Sequence, residues 1–149
     1  MLGLALSSLT CVVSLQYYGE KNRLNLYKIM HMNELTPEEE RVIVGKGTEA
    51  PFTGEYESTF REGTYVCRRC ETPLYTSDAK FHSDCGWPSF DQEIEGAVRR
   101  VADADGRRVE IICNTCEAHL GHVFIGEGYT DKDTRHCVNS ISLKFIPKK

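Results

Sequence analysis

Two Cys-x-x-Cys pairs, Cys67/Cys70 and Cys113/Cys116, constrain this chain more than any other feature. Four thiolates arranged as a tetrahedron suit Zn²⁺ or Fe. Each pair brings two sulfurs close enough to share one ion, and residues 71–112 lie between the pairs. A common ion would therefore tie together distant parts of the chain. With four protein ligands the shell is closed to substrate, so the metal is expected to be structural, and Zn²⁺ is the commoner structural choice. A thioredoxin-like redox role would need a single pair opening a helix in a β-α-β unit, a context this sequence does not show.

The chain has seven cysteines, so Cys11, Cys85 and Cys137 are left over, and one thiol stays unpaired in any scheme. Close thiolate pairs fit a reducing compartment, read here as the cytoplasm, better than a secreted disulfide scaffold. The 149 residues are the size of one ordinary domain. Such a chain buries roughly 70% of its unfolded surface and needs no staples. A net charge of −4 argues against a nucleic-acid partner held through phosphates. No apolar run reaches the length of about 18 residues that a membrane helix requires.

Residues 1–32 read as an N-terminal extension and 33–149 as the domain proper. Leu2 to Leu15 is apolar like a signal-peptide core, but it lacks a basic leader and a small-residue cleavage site. Leu9-Thr10-Cys11 matches lipoprotein processing poorly, and Met30 or Met32 would serve as a start. Thr36-Pro37-Glu38-Glu39-Glu40 predicts a helix, with Thr36 as N-cap and Glu39 completing a capping box. Gly45 and Gly47 end it, and Pro51-Phe52-Thr53-Gly54 predicts a turn.

Beyond that point the signals are mostly β. Thr64–Val66, Ala97–Val101, Arg107–Ile112 and His122–Ile125 are strand candidates, with Asp105-Gly106 closing a hairpin between the second and third. Both metal pairs then sit at strand ends, as in zinc ribbons. Val138–Ile146 alternates with a period of two and predicts one half-buried strand. Arg99, Arg100, Arg107 and Arg108 would give the hairpin a basic, solvated face.

A reactive cysteine needs positive charge or hydrogen bonds near its thiolate. Alternate strand residues face the same side, so Arg135 and Asn139 are expected to flank Cys137 while His136 faces away. A buried, inert Cys137 is the competing reading. His119 and His122 suit proton donation at neutral pH, or are a fifth metal ligand or solvated surface histidines. Trp87, between Gly86 and Pro88, suits either a loop wall that touches a small apolar group or ordinary packing.

Taken together these motifs resemble the methionine-R-sulfoxide reductase family, MsrB, whose chemistry restores oxidised methionine. The resemblance covers about Asn33 to Phe145. It rests on Pro51-Phe52-Thr53-Gly54, both metal pairs, Cys85-Gly86-Trp87-Pro88-Ser89-Phe90, His119-Leu120-Gly121-His122-Val123-Phe124 and Arg135-His136-Cys137-Val138-Asn139-Ser140, in that order. It implies a mainly β fold, with two antiparallel sheets, small peripheral helices and a zinc-ribbon-like four-cysteine site. It further implies Cys137 as nucleophile, Cys85 as resolving cysteine, and His119, His122 and Asn139 as polar active-site groups. Trp87 would hold the substrate methyl, and Cys67, Cys70, Cys113 and Cys116 would be the zinc ligands.

The reaction so implied takes methionine-R-sulfoxide in oxidised proteins to methionine, leaving a Cys137 sulfenic acid. A Cys85–Cys137 disulfide follows, recycled by thioredoxin or a similar reductant, with Arg135 favouring the thiolate. The expected enzyme is monomeric, without nucleic-acid or membrane partners. Two positions depart from the family pattern: Ser83-Asp84 replaces the more frequent Ser-Gly, and His136 stands where Tyr or Phe is frequent. The rival classes are a zinc-ribbon binding module and a redox-regulated chaperone.

Overall fold

The protein is described by a computed structural model. It describes residues 31–149 together with Gly19, Glu20, Asn22, Arg23 and Leu26. The apolar segment 2–15, Cys11 and Met30 lie outside the described residues. The chain divides into two units, Met1–Met32 and Asn33–Lys149, and the second unit carries every element below.

Helix α1, Pro37–Ile43, forms as its sequence predicts. Thr36 Oγ1 accepts from the Glu39 amide at 3.3 Å, and Glu39 Oε2 accepts from the Thr36 amide at 2.8 Å. This reciprocal cap is worth about 1 kcal/mol. The helix buries Val42 and Ile43 and ends where the Gly45 amide reaches back to Glu40 O at 2.9 Å.

Nine strands follow: β1 Gly63–Cys67, β2 Pro73–Thr76, β3 Lys80–Phe81, β4 Ser89–Phe90, β5 Val98–Ala102, β6 Val109–Cys113, β7 His119–Ile125, β8 Thr134–Val138 and β9 Leu143–Pro147. They form a three-stranded sheet, β2-β1-β9, and a six-stranded sheet, β3-β4-β8-β7-β6-β5. Every pairing is antiparallel. The fold is thus mainly β with two antiparallel sheets. Tyr65 of β1, Tyr75 of β2 and Phe90 of β4 are buried together between the sheets. Tyr75 stacks on Phe90 at 4.2 Å, and Tyr65 meets Phe90 edge-on at 5.1 Å. Such pairs add about 0.5–1.5 kcal/mol each beyond the area they bury.

The expected β5–β6 hairpin forms, with Val98 opposite Cys113 and Ala102 opposite Val109. The single strand expected over Val138–Ile146 does not. β8 ends at Val138, a 3-10 turn occupies Ser140–Ser142, and β9 begins at Leu143 in the other sheet. Side-chain hydroxyls hold the crossover. Ser140 Oγ accepts from the Tyr56 amide at 2.7 Å, and Ser142 Oγ donates to His119 O at 2.9 Å. The period-two pattern persists on either side, but the two halves serve different sheets.

The basic hairpin face resolves into separate pairs. Arg99 bonds Glu117 at 2.5 Å, Arg108 Nε bonds Asp105 at 2.6 Å, and Arg100 lies 3.4 Å from His136 Nε2.

Candidate active site and metal cage

The two Cys-x-x-Cys turns share one backbone design. In the first, the Cys67 amide bonds Thr72 O and the Glu71 amide bonds Cys67 O, both at 2.8 Å. In the second, the Cys113 amide bonds Ala118 O and the Glu117 amide bonds Cys113 O, both at 2.9 Å. Glu71 and Glu117 take matching left-handed conformations, φ 60° and 63°. The first turn ends β1 and the second ends β6, so the four sulfurs join the two sheets. All lie within 4.8 Å of one another, with Cys67–Cys116 and Cys70–Cys113 each at 3.6 Å. Tetrahedral Zn–S bonds of about 2.3 Å put sulfurs about 3.8 Å apart, so the donor set fits a tetrathiolate metal ion. Cys67, Cys113 and Cys116 are buried, which closes the site to a substrate.

The other two cysteines meet on the six-stranded sheet. Cys137 sits in β8, opposite Ser89 of β4 and His122 of β7. Gly121 allows β7 this close: a Cβ there would lie 2.0 Å from Cys137 O. Cys85 lies on the loop entering β4, its Sγ 3.8 Å from Cys137 Sγ and 3.1 Å from Ser83 Oγ. The loop reverses at Asp84, whose φ of 53° is the left-handed region that favours glycine. Asp tolerates this conformation better than most residues.

The two thiols titrate as a pair. The hydrogen bond with Cys137, followed by bonds from Ser83 and Ser89, draws Cys85 down to about 4 against its burial. The same sulfur–sulfur bond, with burial next, pushes Cys137 up, and Arg135 opposes that rise. The two shifts run in opposite directions because the sulfurs, 3.8 Å apart, share one hydrogen bond. The Arg135 guanidinium is buried, paired with Glu127 at 2.7 and 2.9 Å and laid over Phe124. Its Nη1 has no hydrogen-bond partner.

A cleft of about 110 Å³ opens beside Cys137, walled by Trp87, His122, Phe124 and Asn139, with Thr48 and Arg108 completing the lining. Trp87 is half-buried on the wall, its Nε1 donating to Glu49 O at 3.0 Å. Asn139 Oδ1 accepts from the Glu49 amide at 2.9 Å, and its Nδ2 donates to Leu120 O at 3.1 Å. Glu49 Oε2 in turn accepts from the Ser140 amide at 2.8 Å. Glu49 is thus a clasp for three site elements, a role its loop sequence does not signal.

His119 does not line the cleft. It is 2% exposed, behind His122 at a ring separation of 5.6 Å. Its Nδ1 is 2.7 Å from Glu110, whose other oxygen takes Lys46 at 2.8 Å. Burial lowers the His119 pKa against the pull of Glu110. His122 bonds the Asp103 carboxylate. His136 faces away from Cys137, as strand alternation predicts. It is fully buried, with Nδ1 3.0 Å from Tyr75 Oη.

Fold and site together define a class: a β domain with a four-cysteine cluster that could hold a metal ion and a free dithiol at the edge of a mostly apolar cleft. The chain belongs to the SelR domain family, the MsrB family, which matches residues 35–147. It is 60% identical over 114 residues to peptide methionine sulfoxide reductase B3, chloroplastic, of Oryza sativa subsp. japonica, covering 76% of this chain and 50% of that protein. It is 57% identical to the B2 chloroplastic reductase of Arabidopsis thaliana, over 76% of this chain and 57% of that protein. It is 55% identical to the Arabidopsis thaliana B5 reductase, over 77% of this chain and 84% of that protein. The chain thus spans between half and three-fifths of the length of the first two relatives.

Proposed function

We propose that residues 33–149 form a thiol-dependent oxidoreductase that reduces methionine-R-sulfoxide, in oxidised proteins, to methionine. The observation that carries this reading is the Cys85–Cys137 pair, 3.8 Å apart, with Cys137 opening onto the cleft. The Trp87 face and Phe124 suit an S-methyl group, and His122 suits the sulfoxide oxygen.

Cys137 passes its proton to Cys85 and attacks the sulfoxide sulfur, while the Arg135 guanidinium favours charge on Cys137. As negative charge builds on the sulfoxide oxygen, His122 supplies a proton. His119 backs that ring as a buried neighbour, and Asn139 braces the cleft wall. The hydroxyl then passes to the Cys137 sulfur as the substrate S–O bond and the transient S–S bond break, so that methionine leaves and Cys137 becomes sulfenic acid, a reversible state. Two electrons have passed from the Cys137 sulfur to the substrate. Cys85 then attacks the Cys137 sulfur, expelling water and forming a disulfide. A dithiol such as thioredoxin reduces it by exchange.

Cys67, Cys70, Cys113 and Cys116 would hold a Zn²⁺ ion, which would cross-link the two sheets and take no part in the chemistry. Free thiols at both sites suit a reducing compartment, and the cytoplasm is the reading retained for this chain, although two relatives are chloroplastic by name. Incubation with dithiothreitol and resolved epimers tests the activity: R-sulfoxide is consumed and S is not. Consumption of neither epimer would refute it and favour a metal-ribbon binding module.

A further inference from the structure

The turn between β5 and β6 carries a carboxylate that the sequence marks only as turn chemistry. Asp103 is fixed at every polar atom. Its amide donates to Arg108 O at 3.1 Å and its carbonyl accepts from the Gly106 amide at 3.0 Å. Its Oδ1 accepts from the Asp105 amide at 3.1 Å. That leaves Oδ2, which bonds His122 Nε2 and lies 3.6 Å from Arg108 Nη2. The Asp103 carboxyl is held below its ordinary range, first by the Asp105 amide and then by His122.

We infer that Asp103 is a positioning residue for the reaction: it fixes His122 with Nε2–H toward the turn and leaves Nδ1 to deliver the proton. The inference rests on the reductase reading of the cleft. When the Cys137 sulfur bonds the substrate sulfur, the oxygen takes the Nδ1 proton, and Asp103 stays a carboxylate throughout. A carboxylate oriented in this way selects one tautomer.

Other charges facing His122 do not supply this orientation. On its own strand the nearest is buried His119. Across β6, Glu110 is opposite in register but is occupied by His119 and Lys46. Arg108, on the cleft wall, is held by Asp105. Across β8 stands Cys137, with Cys85 and Arg135 beside it.

Asp103→Asn is a directed test. The turn still requires an acceptor for the Asp105 amide, so the Asn oxygen faces that way and its NH₂ faces the imidazole. The ring must then turn donor for donor, with Nε2 as acceptor. With dithiothreitol and R-sulfoxide, kcat/KM should fall about tenfold or more. Nitrogen-15 spectra should show the His122 proton leaving Nε2 for Nδ1. Should the Asn variant not fold, Asp103→Ser keeps a hydroxyl cap for the turn and serves in its place. An unchanged kcat/KM with Nε2–H retained would overturn the inference. If the wild-type protein turned over neither epimer, the reductase reading would fail instead, and the tautomer spectra would still decide the role of Asp103.

Discussion

At the cage, two turns repeat one hydrogen-bond pattern, and four sulfurs satisfy one another out of reach of substrate. At the cleft, no such repetition exists. Cys137 is held in a regular strand, and Cys85 is delivered to it by a loop that reverses through a left-handed Asp84. The groups around the pair come from the Glu49 loop, the Asp103 turn, β7 and β8. On the proposed function, the same side chain is inert where its surroundings are symmetric and closed, and serves as a redox element where a second thiol, a buried guanidinium and an open wall break that symmetry. The cage also joins the strands ending at Cys67 and Cys113, one from each sheet, so the closed site supports the sheet that carries the open one.

The largest effect should come from breaking the cage. Structural Zn²⁺ is worth about 10–16 kcal/mol in small domains, comparable to the whole stability of an ordinary domain. Cys113→Ser, or exhaustive chelation, should therefore leave no cooperative thermal transition near that of wild type. Loss of metal with an unchanged melting curve would separate cage from fold. Next in size is Gly121→Ala. With its Cβ placed 2.0 Å from Cys137 O, β7 and β8 must part, and a cost of about 4 kcal/mol is expected. Denaturant midpoints would read it, and activity should fall while metal content holds.

His136 supplies a pH test on the cleft side. Burial, ahead of the opposing charge of Glu93, pulls its pKa down to about 4, against about 6.5 unfolded. The unfolded chain then binds the extra proton between those values. Stability is present above about pH 6.5 and is lost as pH falls toward 4, by up to about 3 kcal/mol from this group. His136→Phe should lose less stability over that window, at the cost of leaving Tyr75 Oη unpartnered. An acid profile identical to wild type would assign the loss elsewhere, His119 first. The smallest effect is on the clasp. Glu49→Ala removes the acceptor for the Ser140 amide, about 1–2 kcal/mol, and should raise KM through Trp87. Glu49→Gln keeps an acceptor and should lower stability less.

The cage was legible in the sequence because its spacing is local: a Cys-x-x-Cys turn carries its own geometry, and both turns sit at strand ends as expected. The cap on α1 and the β5–β6 hairpin were legible for the same reason. The crossover at Ser140–Ser142 was not, since serines in a period-two pattern look like the wet face of one strand while they bond Tyr56 and His119. Asp103 and Glu49 were hidden for a related reason. Their functional bonds go to His122, Trp87 and Asn139, far along the chain, while their local signals say turn and loop. Period-two reasoning placed Arg135 beside Cys137 and His136 away from it. It could not show that His119 is walled off by Glu110 and Lys46 while His122 reaches the cleft.

The central claim is a division of labour among cysteines, and one measurement addresses it directly. Reduced protein is mixed with stoichiometric methionine-R-sulfoxide in the absence of reductant, and its intact mass and peptide map are recorded. The account predicts one methionine per chain, a mass lower by two hydrogens, and a single disulfide linking Cys85 to Cys137, with Cys67, Cys70, Cys113 and Cys116 unmodified and their metal retained. A disulfide drawn from the cage cysteines, or methionine formed with the Cys85–Cys137 dithiol intact, would contradict it.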